Sequence, residues 1–231
     1  MTEASHPAGR RTFLSRLGVG VAAGAGLAMG MGGVQPANAQ TNTFKPRRHK
    51  EDAWMDAPKV AHRIVIDSNS PSAGGGALLY ANNTFNANKS GYGLQVEDIA
   101  VIVVLRHLST PFGYSDAIWA KYGAPLSELI DFKDPKTKAA PTTNLYNAAG
   151  GGMSNMGVTI PSLVERKVQF AVCGSASRAM SGGVAQKIKG DAEAIYQEFT
   201  SNLIPNSHLV PAGVIAINRA QEFGYTLLTA V

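Results

Sequence analysis

Cysteine occurs once in the 231 residues, at Cys173, so no disulfide can staple the chain to itself and its stability has to come from a packed core. Charge is also sparse. Asp, Glu, Lys and Arg make up 16% of the chain for a net +5, with the basic excess gathered in one short run, Lys45-Pro46-Arg47-Arg48-His49-Lys50. A run of that length at the start of a domain reads as a solvated arm, and the chain does not read as a nucleic-acid binder. Gly74-Gly75-Gly76 precedes no Walker lysine and lacks the spaced G-x-G-x-x-G pattern, so it is read as close helix packing in preference to a phosphate cradle. Met153 and Met156 have no neighbouring histidine or cysteine, and no ligand cluster is visible elsewhere; no metal or cofactor is expected. The one extended apolar stretch, Leu17 to Met31, is too short and too rich in Gly and Ala to make a good bilayer-spanning helix.

That stretch has a different logic. Arg10-Arg11 stands directly before it and Ala37-Asn38-Ala39 ends it, the layout of a twin-arginine signal peptide with a small-x-small cleavage site. Residues 1–39 are therefore expected to be removed, leaving a periplasmic protein that starts at Gln40 and has no membrane attachment. The twin-arginine route carries already folded passengers. The leader holds three arginines and one glutamate, which leaves the remainder near +3. Residues 40–58 are expected to form a flexible basic arm, and 59–231 one globular domain.

Within the domain, His62 to Asp67 reads as a buried strand ended by Ser68-Asn69-Ser70-Pro71, followed by a helix whose Leu78, Ala81 and Phe85 share a face and which stops at Gly91 to Gly93. Ile99-Ala100-Val101-Ile102-Val103-Val104-Leu105 shows no polar alternation, as expected of a strand covered on both faces. A polar loop from Arg106 to Tyr114 follows, then helices at Asp116–Tyr122 and Pro125–Asp131, and a long inserted loop over 133–157 containing Gly150-Gly151-Gly152. A short helix at Ile160–Arg166, a strand at Val168–Val172, and a long helix from Ser175 to Asn202, weakest at Gly182-Gly183, come next. The chain closes with strand 208–210, helix Val214–Phe223 and strand Tyr225–Leu228. Alternating strands and helices predict a three-layer α/β domain on a parallel, roughly five-stranded sheet with flavodoxin-like winding.

Ligands of such sheets gather at the carboxyl ends of the strands, where this sequence puts Asp67, then Arg106 and His107, then Cys173. If the first strand lies between the other two, these residues converge. Cys173 is followed by Gly174-Ser175-Ala176-Ser177-Arg178, which places its sulfur at a helix start, where free N–H groups favour thiolate; the same position suits a small apolar residue ending a buried strand. Arg106 and Arg178 are candidates for holding an anion and His107 for carrying a proton, while His62 and His208 read as structural.

Val168 to Ala179, a strand ending in Cys173-Gly174 with a polar helix start, and Val210-Pro211-Ala212-Gly213-Val214 with Gln221-Glu222-Phe223-Gly224-Tyr225 resemble the DsrE/DsrF-like family of small α/β sulfur-handling proteins. The resemblance implies a five-stranded parallel sheet, homo-oligomers such as trimers or hexamers, and a persulfide carried on a cysteine, here matched by Cys173. Joined to the strand-end positions, this gives the expectation of a protein that binds or transfers sulfane sulfur through Cys173, with His107, Arg106, Arg178, Asp67 and Gly174 shaping a site for small sulfur species or another small anion. The export leader, the loop after the second strand and the insertion depart from the family pattern. A non-catalytic, homo-oligomeric small-ligand-binding module with a structural cysteine is the alternative.

Overall fold

The computed structural model describes residues 45–149 and 153–231. The expected twin-arginine leader, its expected cleavage site, the first residues of the arm and Gly150-Gly151-Gly152 lie outside the described residues. Five parallel strands form one sheet: β1 (His62–Ser68), β2 (Ile99–Leu105), β3 (Gln169–Cys173), β4 (Ser207–Val210) and β5 (Thr226–Thr229), in the order β4-β3-β2-β1-β5. The chain is therefore a three-layer α/β domain. Among the described residues, no helix is long and apolar enough to cross a membrane.

The apolar run Ile99–Leu105 sits in the middle of this sheet because alternate side chains of β2 must be buried on opposite sides. Val101, Val103 and Leu105 join Ile66, Phe170 and Val172 under α1 (Pro71–Tyr92), α2 (Asp116–Ile130), α3 (Ile160–Glu165), α4 (Gly174–Ile188) and α5 (Ala192–Ser201). Ile102 and Val104 join Val65, Ala171 and Val210 on the other side, under α6 (Gly213–Glu222). The chain steps in one direction from β1 to β4 with its helices on the first side, then returns across the sheet to β5 through α6 on the second. A right-handed crossover places a connection on opposite faces for opposite directions of travel, so the reversal dictates where α6 lies.

Helix ends follow local chemistry. Ser70 caps α1, its Oγ accepting from the Ala73 N–H at 3.1 Å, and Gly93 ends that helix in the left-handed region at φ 70°. α2 runs unbroken through Pro125, where two helices were expected, because Trp119, Tyr122, Leu126 and Ile130 bury one continuous stripe. The long helix expected from Ser175 to Asn202 is two helices, and the break falls at Lys189–Asp191 instead of at Gly182-Gly183. Gly183 serves packing: a Cβ there would stand 2.9 Å from Leu129. The expected polar loop after β2 is a 3-10 turn, His107–Gly113, whose residues Ser109 to Gly113 are all buried.

The described parts of the insertion are packed onto the domain. Tyr146 is buried and donates from its hydroxyl to the Pro71 carbonyl at 2.6 Å, Ser154 donates to the Ser72 carbonyl at 2.8 Å, and both meet α1 at Gly75, where any side chain would collide with them. Gly74-Gly75-Gly76 thus lies inside α1, where Gly75 makes room for the insertion and Gly76 faces Ala230 and Val231 at the end of the chain.

A second correction concerns the segment before β1. Residues 46–58, expected to be a flexible arm, lie against the second side of the sheet. Lys50–Met55 is a 3-10 turn, Met55 is fully buried, and the Trp54 ring stacks on His208 at 4.0 Å between centroids. The few apolar residues Trp54 and Met55 outweigh the basic run because that side of the sheet has only α6 to cover it.

His208 is half-buried between Trp54 and Gln169, whose Oε1 lies 2.8 Å from its Nε2. Burial holds its pKa below the ordinary 6.5. The unfolded chain then binds a proton that the folded one refuses, so stability is complete above about pH 6.5 and is lost as pH falls toward the folded value. Urea midpoints measured from about pH 7 to 5 should fall more steeply for the parent than for His208→Gln; parallel slopes would show that His208 is not the titrating group.

Candidate functional site

The topology selects a place before any side chain is considered. In an open parallel sheet, a crevice forms where neighbouring strands send their connections to opposite faces. Here that point lies between β3, followed by α4 on the first side, and β4, followed by α6 on the second. Cys173 is the last residue of β3, and its register partner on β4 is Val210. The expectation that β1 would lie between the other two strands is corrected: β2 does, and the crevice opens beside Cys173 and not at Asp67.

Cys173 is the N-cap of α4. Its Sγ accepts from the Ala176 N–H at 3.4 Å, and its carbonyl accepts from the Ser177 hydroxyl at 3.0 Å. Ser177 in turn accepts from the Tyr114 hydroxyl at 2.8 Å, and burial pushes the Tyr114 pKa well up against that bond. The cysteine is 6% exposed. Gly174 is required beside it, because a Cβ would stand 2.9 Å from the Val210 carbonyl oxygen, and Ser175 draws β4 in by donating its Oγ and its N–H to the Pro211 carbonyl at 2.8 and 3.1 Å.

Arg106 follows Leu105, the register partner of Val172, and so stands next to Cys173 across the strand ends. Its Nε and Nη2 donate to the two carboxylate oxygens of Asp67, each at 2.7 Å, and Asp67 is buried. That paired hydrogen bond raises the Arg106 pKa above its ordinary value; burial opposes it, and the Asp67 and Cys173 charges add to the rise. Nη1 of Arg106 has no hydrogen-bond partner among the described residues. Gly213, the first residue of α6, is buried against Arg106, and a Cβ there would overlap the arginine's own Cβ.

Three of the residues expected at the site therefore come together: Asp67, Arg106 and Cys173, with Gly174 as their spacer. Asp67 holds Arg106 and is a positioning group, not a ligand. His107 turns away; it adopts φ 53°, and its Nδ1 lies 3.3 Å from the carbonyl of the exposed Asn69, just past β1. Arg178 also turns away, lying 3.6 Å over the Tyr196 ring and pairing with Glu193 on α5. With Gly174, Ser175, Tyr196, Val210 and Pro211 it lines an open groove of about 490 Å³ along the same β3–β4 strand ends. Gly213, Ser175 and Ser177 were not anticipated. Gly213 carried a signal, since a glycine directly after Pro-Ala at a helix start marks a close approach, but its partner Arg106 is 107 positions earlier in the sequence.

No protein-family model, curated protein or solved structure matches the chain. Among the described residues, no group of three or more His, Cys, Asp or Glu side chains is placed to hold a metal ion.

Two glycine substitutions are expected to act with opposite sign. Gly213→Ala forces a side chain into Arg106 and should cost about 1–3 kcal/mol in urea unfolding. Gly182→Ala, in α4 with nothing within 4 Å of its new Cβ, should gain roughly 0.5–1 kcal/mol from helix propensity. Equal effects would show that Gly213 is not held by its contact with Arg106.

Proposed function

We propose that this is an exported, periplasmic DsrE-like protein that carries sulfane sulfur on Cys173. The observation that carries the reading is the placement of one thiol at the switch point of the sheet, at the N-cap of α4 and beside a guanidinium held in place by a buried carboxylate. The Cys173 sulfur accepts from the Ala176 N–H at the helix start, and Arg106 stands beside it across the strand ends.

In the step this site supports, the Cys173 thiolate attacks the outer sulfur of a donor R–S–S–H. The new S–S bond forms as the donor's S–S bond breaks, the electron pair leaves with R–S⁻, and Cys173 becomes Cys–S–S–H. No oxidant is consumed. The free Nη1 of Arg106 is available to hold an anionic donor or leaving group, with Asp67 fixing its direction. Gly174 and Gly213 keep side chains out of the approach, Arg178 lines the groove next to Gly174 while paired with Glu193, and His107, given where it points, has no part in it.

Homo-oligomers, as trimers or hexamers, belong to the same reading. The exposed apolar residues Val214 and Ile215 on α6 and Leu227 and Leu228 on β5 support it. The second reading, a small-ligand-binding module in which the cysteine only packs, is favoured by the 6% exposure of Cys173 and by the neutralisation of Arg106.

Mass spectrometry of the folded protein after treatment with polysulfide separates the two. A gain of one or more sulfur atoms that disappears in Cys173→Ser and weakens in Arg106→Met is expected. A thiol that stays unmodified until urea unfolds the chain would overturn sulfur carriage and leave the binding module.

A further inference from the structure

The segment between the proposed leader and β1 is held almost entirely by the end of the chain. The Arg48 guanidinium lies 3.7 Å over the Phe223 ring and donates to the Glu222 carbonyl at 3.1 Å. Asp52 pairs with Arg219 at 3.8 Å, and Trp54 stacks on His208. The Met55 carbonyl accepts from the Tyr225 hydroxyl at 3.0 Å, and the Met55 side chain is buried with Val210, Ala216, Ala220, Phe223 and Tyr225. Arg63 completes the seam by donating both to the Ala57 carbonyl and to the Phe223 carbonyl.

Every one of these side-chain anchors except Arg63 belongs to residues 208–225. A six-residue 3-10 stretch has no stability of its own, so the segment can dock only once α6 and the approach to β5 have been made and have packed. Undocked, it exposes Trp54 and Met55 and opens the edge of the buried cluster to which Met55 belongs.

We infer that residues 46–58 are a strap that reports completion of the fold to the export machinery. The strap begins a few residues after the proposed cleavage site, and the twin-arginine route carries folded passengers, so with the strap docked no unfolded apolar segment adjoins the leader in the sequence. An undocked strap places an apolar, unfolded segment directly beside the leader and withholds the precursor from export. The inference rests on the export reading above and is independent of what Cys173 does.

The test uses the full-length precursor in a bacterium with a twin-arginine translocase, scoring the mature periplasmic fraction. In parallel, trypsin cleavage at Arg47, Arg48 and Lys50 is followed on the purified protein. Trp54→Ala and the milder pair Arg48→Ala with Asp52→Ala should speed cleavage at Arg47 and Lys50, the two sites that all variants retain, and lose export together, graded by how far each frees the strap. Val184→Ala, a cavity in α4 on the opposite side of the sheet, should leave the strap closed and export intact. Strap variants that are trypsin-sensitive yet exported like the parent would overturn the inference while Arg10→Lys with Arg11→Lys still blocks export. Export lost equally in Val184→Ala would overturn it in favour of general instability. Export indifferent to the two leader arginines would overturn the leader reading, and the inference with it. The Arg48/Asp52 pair lies outside the core, so a failure of Trp54→Ala to fold leaves the decision with that pair.

Discussion

Burial of β2 on both faces is the constraint from which the rest of the structure descends. Seven consecutive apolar residues in a strand point alternately to two sides of a sheet, and neither side can be left to water at roughly 25 cal/mol per Å² of apolar surface. Two covering layers are thus required. The chain supplies the first with α1 to α5 as it steps from β1 to β4, and has only α6 left for the second. That shortfall explains why a segment as short as Lys50–Met55 is drawn onto the second side. The reversal of direction that puts α6 there also opens the crevice beside Cys173. One apolar run therefore sets both the architecture and the address of the candidate site.

Much of this was legible in the amino-acid order. The β2 run, the β-branched stretch of β1 and the Leu78–Ala81–Phe85 stripe of α1 are local patterns, and each forms the element its period predicts. Strand order was not legible, because it depends on which strand is covered most completely, a comparison among segments far apart. The strap was misread for a related reason: Lys45 to Lys50 dominate its composition, whereas its fate is decided by Trp54 and Met55 meeting residues more than 150 positions away. The break between α4 and α5 fell away from Gly182-Gly183 because Gly183 lets Leu129 approach, a contact with no local signature.

The candidate site divides along the same line. That Asp67, Arg106 and Cys173 end strands was readable from position, and their proximity follows from β1, β2 and β3 being consecutive neighbours. The roles within the group depend on side-chain direction, which strand position does not determine. Arg106 turns to the one buried carboxylate within reach, and Asp67 gains the bidentate partner that its burial demands. Arg178 is only five residues beyond Cys173, yet one and a half helical turns carry it to the α5 side, where Tyr196 and Glu193 take it up.

The positions of the two tryptophans have a spectroscopic consequence. Trp119 is sealed in the first layer with its Nε1 donating to the Pro111 carbonyl at 3.0 Å, and Trp54 lies in the second, its ring flat against an imidazole. The sequence holds no third. Each layer thus carries its own fluorophore, one in a dry, fixed environment and the other against a ring whose protonation alters quenching. The emission of this protein is a sum of two separable signals, one for each side of the sheet.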